Sequence, residues 1–214
     1  AAISGSIRMT WRIPARLGPS ARQSKFNDGT GMSWIDQRPD DAMAGAFEAI
    51  GPEPFNSVEA AAFREAMSRL GAAVHVVTSA GPAGQTGFTA TAVASVSDQP
   101  PMLLVCLNRR SISAPVLSAN RVFCVNTLRA DEEAIADLFA GRSGDRDQRF
   151  ATGEWITLST GSPVLASAVV AFDCRVSDVK AVGSHNVIFG VVEAVRLGAA
   201  GEALLYHERA YKRV

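Results

Sequence analysis

The stretch GFTATAVASVSDQPPMLLVCLNRRSIS, residues 87–113, decides the fold. From Phe88 to Ser97 small hydroxyl residues alternate with apolar ones, which is the period of a strand. Pro100-Pro101 breaks the run, and MLLVCLN (102–108) resumes it as a second strand. On one extended strand Thr89, Thr91, Val93, Ser95 and Ser97 share a face. Small residues there let a flat ligand approach the backbone, and hydroxyls and N–H groups can bond a phosphate or a heterocycle edge. A barrel strand needing small residues at a tight bend has the same pattern, and spacing alone favours that plainer reading. Next comes Asn108-Arg109-Arg110-Ser111-Ile112-Ser113, leading into a helical turn, SAPVLSA (113–119), with Ser113 as cap and Pro115 in the first turn. Backbone N–H groups at such a turn attract phosphate, and two arginines add charge. A helix cap beside a solvated basic pair explains the segment equally well.

Upstream, NSVEAAAFREAMSRLG reads as a helix. Asn56 and Glu59 can form a capping box, Phe63, Ala66, Met67 and Leu70 fall on one face, and Gly71 is a left-handed stop. AVHVVTS (73–79) is a strand, followed by a Gly/Pro turn over 80–87. Downstream, RVFCVNTL (121–128) is a strand and DEEAIADLFAG (131–141) a helix with acids in its first turn and a Gly stop. Two long runs, 167–182 and 187–197, flank the Gly-containing turn GSHN and read as a hairpin. ALLYHERAYKRV (203–214) completes the chain. Strands outnumber short, isolated helices, with no βαβ alternation. The expected fold is mainly β, an antiparallel barrel with small helices at its ends.

The 214 residues carry 21 Lys+Arg against 21 Asp+Glu, which argues against a coat for nucleic acid or an anionic membrane. The balance is uneven. Residues 1–27 hold five basic residues and no acid, which leaves 16 basic against 21 acidic, a net of −5, for the rest. Residues 1–31 are read as a basic leader, disordered or vector-derived, because Met32 follows a Gly-rich break. Its Arg- and Ser-rich composition is also that of a transit peptide. Residues 32–55 are a Pro-broken tether with a possible helix over 41–50, and 56–214 form the domain. No apolar run reaches the roughly 18–20 residues of a spanning helix. Cys106, Cys124 and Cys174 lie in apolar runs and read as buried free thiols, which fits a cytoplasmic protein.

Several chemistries have no signal. There is no GxGxxG after a strand, no P-loop, no GxSxG and no zinc ligand set. Glu132 and Glu133 read as a helix N-terminus rather than a carboxylate dyad. Arg142, Arg146 and Arg149 alternate with Asp145 and Asp147, which cancels them as a phosphate surface. His185, in Gly183-Ser184-His185-Asn186, is presented at a turn between apolar strands, where a locally bonded turn histidine is the equal alternative.

Together these blocks resemble the small NAD(P)H:flavin reductases of two-component monooxygenases. The resemblance runs in order through FREAMSRLGAAVHVVTS, GFTATAVASVSDQPPMLLVCLNRRS, FCVNTL (123–128), Leu138-Phe139, Gly161-Ser162-Pro163, FDCRV, Gly183-Ser184-His185 and LLYHERAYKRV. It spans about residues 57–214, and its blocks are specific together rather than singly. It implies a split β-barrel of the FMN-binding type, a homodimer, a flavin (FMN or FAD), NADH or NADPH, and a flavin-dependent monooxygenase partner. By that resemblance Phe88, Thr89, Thr91 and Ala92 lie against the flavin, and Cys106, Leu107 and Asn108 line its ring. Ser111, Ile112 and Ser113, with Arg109 or Arg110, take the phosphate side. Phe139 closes over the cofactor, and His185 and Tyr211 receive nicotinamide. Ser184 stands where many members carry an Asp, so no carboxylate can act there.

Hydride transfer between two bound rings needs stacking and charge stabilisation but no nucleophile, which agrees with the missing triad. Two alternatives use the same barrel: a reductase of another acceptor, such as a cobalt corrinoid, with flavin retained, and a non-enzymatic flavin- or haem-binding module.

Overall fold

In the computed structural model the described residues are 57–141 and 148–214, within one unit, Asn56–Val214. The expected leader, the tether, the helix at 41–50, the Asn56 cap and Arg142 and Arg146 lie outside them.

The chain runs α1 (Ala60–Ser68), β1 (Ala72–Ala73), β2 (His75–Gly81), β3 (Gly84–Ala90), β4 (Val93–Asp98) and β5 (Pro101–Asn108). Then follow α2 (Ser113–Asn120), β6 (Val122–Thr127), α3 (Glu133–Ala140), β7 (Trp155–Thr157), β8 (Pro163–Leu165), β9 (Val170–Val182), β10 (His185–Leu197), β11 (Leu204–His207) and β12 (Ala210–Arg213). Seven strands form one sheet in the order β3-β2-β6-β9-β10-β5-β4, with every pairing antiparallel. The consecutive strands β3 and β4 occupy opposite edges, so the sheet curls on itself between them. The chain turns that corner at Thr91-Ala92, where Val93 N donates to Thr91 O (3.1 Å) and Cys106 N to Ala92 O (3.1 Å).

That corner corrects the reading of 88–97 as one strand. Thr89 and Thr91 do not continue the face of Ser95 and Ser97, because the run is two strands at two edges. Small residues suit the bend, which is the plainer reading of the pattern. The turn expected over 80–87 is shorter, since β2 extends to Gly81 and β3 starts at Gly84.

One core fills the barrel: Val77, Val105, Leu107, Leu117, Phe123, Val125 and Ile188, all nearly inaccessible. Gly190 sits at a β9–β10 register shift, and a Cβ there would lie 2.5 Å from Phe123 Cζ, so glycine is what lets that ring enter. A second core, including Val74, Val76, Leu128, Ile135, Phe139, Leu165 and Leu204, joins the barrel to α3 and to the three-stranded sheet β1-β11-β12. Val74 ties the two sheets directly, its N–H donating to Leu204 O (2.9 Å) and its carbonyl accepting from Leu128 N (3.0 Å).

The buried Asn126 carboxamide donates to Val76 O (3.0 Å) and Thr78 Oγ1 (3.3 Å) and accepts from Leu165 N (2.8 Å). Thr78 Oγ1 in turn donates to Pro163 O. This satisfied network fastens the short β7–β8 hairpin to the barrel.

Local readings at helix ends fare unevenly. Gly141 is the left-handed stop of α3, at φ 73°. Helix α1 instead ends at Arg69, whose N–H donates to Ala66 O (3.1 Å) while Leu70 N donates to Met67 O (3.2 Å), and Gly71 is not left-handed. Glu59 takes the N-cap position of α1 but makes no side-chain cap bond. Ile112, not Ser113, is the N-cap of α2, and Ser113 is already helical. Glu132 and Glu133 are a helix start as read. The buried Glu132 carboxylate accepts from Arg129 N (2.7 Å) and from the Ser167 hydroxyl. The terminal run is two strands, turned by Glu208 and Arg209 at φ 50° and 61°, the paired positive φ of a type I′ hairpin.

Candidate functional site

Where the barrel closes, the corner after β3, the end of β5, the turn into α2 and the end of α3 surround a cavity of about 630 Å³. That volume lies within the roughly 300–1,000 Å³ of small-molecule sites. The cavity brings together Phe88, Thr89, Thr91, Ala92, Cys106, Leu107, Asn108, Arg110, Ser111, Ile112, Ser113, Phe139 and His185, all expected from the sequence.

The β5–α2 turn is shaped by its own polar side chains. Asn108 Oδ1 accepts from Arg110 N (2.9 Å), Asn108 O from Ser111 N (2.9 Å), and Ser111 Oγ from Ser113 N (3.2 Å). Such Asx- and Ser-turns are why this segment leaves the strand at Asn108. The buried Ser113 hydroxyl donates to Gly87 O (3.2 Å) and accepts from Thr86 Oγ1 (2.9 Å), fixing α2 on β3. The Thr89 hydroxyl donates to Ala136 O (2.6 Å), which ties β3 to α3. Both hydroxyls therefore build the wall, each giving its proton to a protein carbonyl.

His185 is the first residue of β10, paired with Asn108 on one side and Val182 on the other. It is exposed, and Ser184 Oγ lies 2.9 Å from its Nδ1. That contact orients the ring without adding charge. The Gly183-Ser184 turn, with Gly183 at φ 54°, thus presents the imidazole at the cavity rim.

Two expected residues lie elsewhere. Arg109 points away from the cavity, with Nη1 3.4 Å from Gly183 O, so Arg110 alone of that pair lines the wall. Tyr211 lines a smaller adjoining cavity of about 190 Å³ with Tyr206 and Val74. The two cavities share Thr89, Ala90, Thr91 and Ala140. The Tyr211 hydroxyl donates to Asp137 Oδ1 (2.8 Å), and its ring meets Tyr206 edge-on at 5.6 Å.

Sequence reasoning missed Gly87, Ala90, Ala140, Gly141 and above all Arg149. Arg149 is only 9% exposed. Its Nε donates to Leu138 O (3.1 Å), its Nη1 to Gly87 O (3.1 Å), and its guanidinium carbon lies 5.8 Å from the Phe139 ring centre. Arg149 is thus folded inward onto the cavity wall, while Asp145 and Asp147, the acids expected to cancel it, lie outside the described residues. A signal was present: Arg149-Phe150 ends a polar loop with an aromatic, and Phe150 packs at 5.3 Å on both Phe139 and Trp155.

Among the described lining residues are Arg110, Arg149 and His185 and no carboxylate, on a domain whose charges balance, with 15 Lys+Arg against 15 Asp+Glu over 56–214. This donor set suits an anionic ligand. A flat apolar side (Phe88, Leu107, Phe139) beside a polar turn fits a heteroaromatic ring carrying a phosphate. Of the thiols, Cys106 is half-buried on the wall, which corrects the expectation of full burial, while Cys124 and Cys174 are buried. Burial, with Asp173 nearby, pushes both of those thiols up, Cys174 to about 12. No metal-holding cluster and no helix long and apolar enough to cross a membrane occurs among the described residues.

The sequence pattern described as "Flavin reductase like domain" matches residues 67–214. A protein of Methylorubrum extorquens (strain PA1) named FMN reductase (NADH) RutF 1 is 54% identical over 156 residues, covering 73% of this chain and 77% of that one. A solved structure from Haemophilus somnus 129PT superposes with TM-score 0.71 at 41% identity, over 73% of this chain and 100% of the other. The nitrilotriacetate monooxygenase component B homolog of Mycobacterium thermoresistibile gives TM-score 0.67 at 28% identity, over 72% and 86%.

Proposed function

The chain belongs to the flavin reductase-like family, and from that premise we propose that it uses NADH to reduce FMN and supplies the reduced flavin to a partner monooxygenase. The observation that carries the reading is the cavity, with its apolar side, its polar β5–α2 turn, and Arg110 and Arg149 but no carboxylate among its described lining residues.

The residues divide the work. Phe88, Leu107 and Phe139 hold the ring system, with Thr91, Ala92 and Cys106 at its edge. Backbone groups of the Thr91-Ala92 corner stand where a flavin edge gains negative charge and can stabilise it. Ser111 and the turn N–H groups take the phosphate, and Arg110 and Arg149 supply positive charge. A flavin held by these residues would supply the redox chemistry, hydride acceptance from a nicotinamide. His185 and Tyr211 border the open side from two directions, and nicotinamide enters over the Thr89–Thr91 edge shared by the two cavities. The fold contributes stacking distance, roughly 3–3.5 Å between reacting atoms, and exclusion of water.

A homodimer belongs to the same proposal. Phe63 and Met67 on one face of α1 and Leu70 just past its end are 56%, 47% and 60% exposed, an apolar stripe that a second copy would cover.

The test is NADH oxidation followed at the nicotinamide absorbance band. Consumption is expected to depend on added FMN, and flavin is expected to separate from the protein on gel filtration. Failure with FMN, FAD and riboflavin alike would sink the proposal. Tight flavin retention would favour the reductase of another acceptor. His185→Ala is expected to raise the KM for NADH more than that for FMN.

A further inference from the structure

We infer that Arg109 is a positioning residue for NADH: it clamps the Gly183-Ser184 turn, and through that turn it holds His185 at the cavity rim. The inference rests on the functional reading above and deepens it, since it moves Arg109 from the flavin phosphate to the nicotinamide side.

The β9–β10 hairpin needs such a clamp. Strand β6 pairs with β9 only as far as Val122 with Arg175, and Val176 N donates to Arg121 O (3.0 Å). Residues 177–182 of β9 therefore have only β10 beside them among the described strands. The turn adds little packing of its own: Val182 is 59% exposed, and Gly183, Ser184 and His185 are exposed. A segment with few buried contacts opens locally at low cost. His185 is the first residue past the turn, so its ring is only as fixed as the turn is.

Strand β5 supplies the hold from the other side of β10. Asn108 pairs with His185, and one residue further on Arg109 N donates to Ser184 O (3.0 Å). The Arg109 side chain reaches beyond it, with Nη1 donating to Gly183 O (3.4 Å). Consecutive carbonyls of the turn thus accept from one residue, once from its main chain and once from its guanidinium. Within the turn Ser184 Oγ lies 2.9 Å from His185 Nδ1, which passes the constraint to the imidazole. Arg110 goes the other way, onto the cavity wall. The adjacent arginines so divide the site: Arg110 serves the flavin and Arg109 serves NADH. A ring held in place beforehand loses less freedom when nicotinamide arrives.

The test compares the full chain with Arg109→Met, which keeps the apolar stem and removes the donor. The KM for NADH is expected to rise about three- to tenfold, the cost of ordering one side chain on binding, while the KM for FMN stays within about twofold. Arg109→Lys keeps a donor and should fall between the two. In a His185→Ala chain, adding Arg109→Met should raise the NADH KM no further. Backbone NMR relaxation should show order lost at Ser184 and His185 in Arg109→Met, with the rest of β10 unchanged. An FMN KM that rises with the NADH KM returns Arg109 to the flavin phosphate and overturns the inference. Additive losses in the double variant overturn it too, because Arg109 then acts on NADH by its charge and without His185. Unchanged order at the turn likewise removes the clamp. A parent chain that oxidises no NADH with FMN, FAD or riboflavin defeats the functional reading, a failure that the relaxation data distinguish from loss of the clamp.

Discussion

Gly87→Ala tests whether the flavin cavity is shaped by the contact between β3 and the Phe139 ring. A Cβ at Gly87 would lie 2.6 Å from Phe139 Cε1, 2.8 Å from Cδ1 and 3.2 Å from Val77 O. Ordinary carbon contact is about 3.5–4.0 Å, so the ring must retreat by about 1 Å. It has little room. Phe139 is 2% exposed, Phe150 stands edge-on at 5.3 Å, Trp155 lies 5.6 Å away, and the Arg149 guanidinium covers it. Overpacking of this kind costs about 1–3 kcal/mol. For a domain of this size that is a fall in Tm of about 2–12 °C. Because Gly87 and Phe139 both line the cavity, the KM for FMN should rise with it. Phe139→Leu makes room, so the double variant should lose less than the sum of the two single ones. The coupling expected between touching groups is about 0.5–3 kcal/mol. Thermal melts and FMN saturation curves of the four proteins measure it. A Gly87→Ala protein with parental Tm and FMN KM, or additive single changes, would refute the reasoning.

Three further outcomes are expected. Arg149→Ala strips the donors from Leu138 O and Gly87 O, bonds to a charged group worth about 1.5–3 kcal/mol each, so urea unfolding should show a loss of at least about 2 kcal/mol. Arg149→Lys should recover only part, since an ammonium cannot fork to both carbonyls, and a lysine curve overlapping the parent's contradicts this. Burial holds His75 at a pKa of about 4, with its Nδ1 3.1 Å from Thr127 Oγ1 and Asp98 on the same groove. The unfolded chain protonates first, near 6.5, so stability is intact above that pH and is lost as pH falls towards 4, by up to about 3 kcal/mol. Urea midpoints at pH 7 and 4.5 should converge more in His75→Gln than in the parent, and an equal fall in both removes His75 as the cause. A thiol reagent at pH 8 should label Cys106 and spare the buried Cys124 and Cys174, with FMN slowing the reaction. Labelling that is indifferent to FMN would place Cys106 outside the flavin contact.

Much of the site was legible because its residues cluster in one span, 88–113, where strand alternation, a Pro break and turn-forming Asn and Ser leave local signatures. Arg109 and Arg110 could not be told apart in the same way. Their difference arises from the Gly183 carbonyl that Arg109 meets across the sheet, 74 positions away in the chain. Arg149 was missed for a related reason. Charge alternation in a loop describes a solvated surface unless the chain folds the arginine onto carbonyls, and here those belong to Gly87 and Leu138.

The sequence by itself determined that this chain is an antiparallel β protein, that a hairpin turns at Gly183-Ser184, two residues shorter than the GSHN turn expected, and that Gly141 ends a helix. These depend on period and on φ, which are properties of a few adjacent residues. Only the tertiary structure decided that 88–97 is two strands at opposite edges rather than one. Barrel closure demands a corner between Ala90 and Val93, and closure is a property of all seven strands together. The same closure carries the small residues of that stretch from a sheet face onto the wall of a cavity.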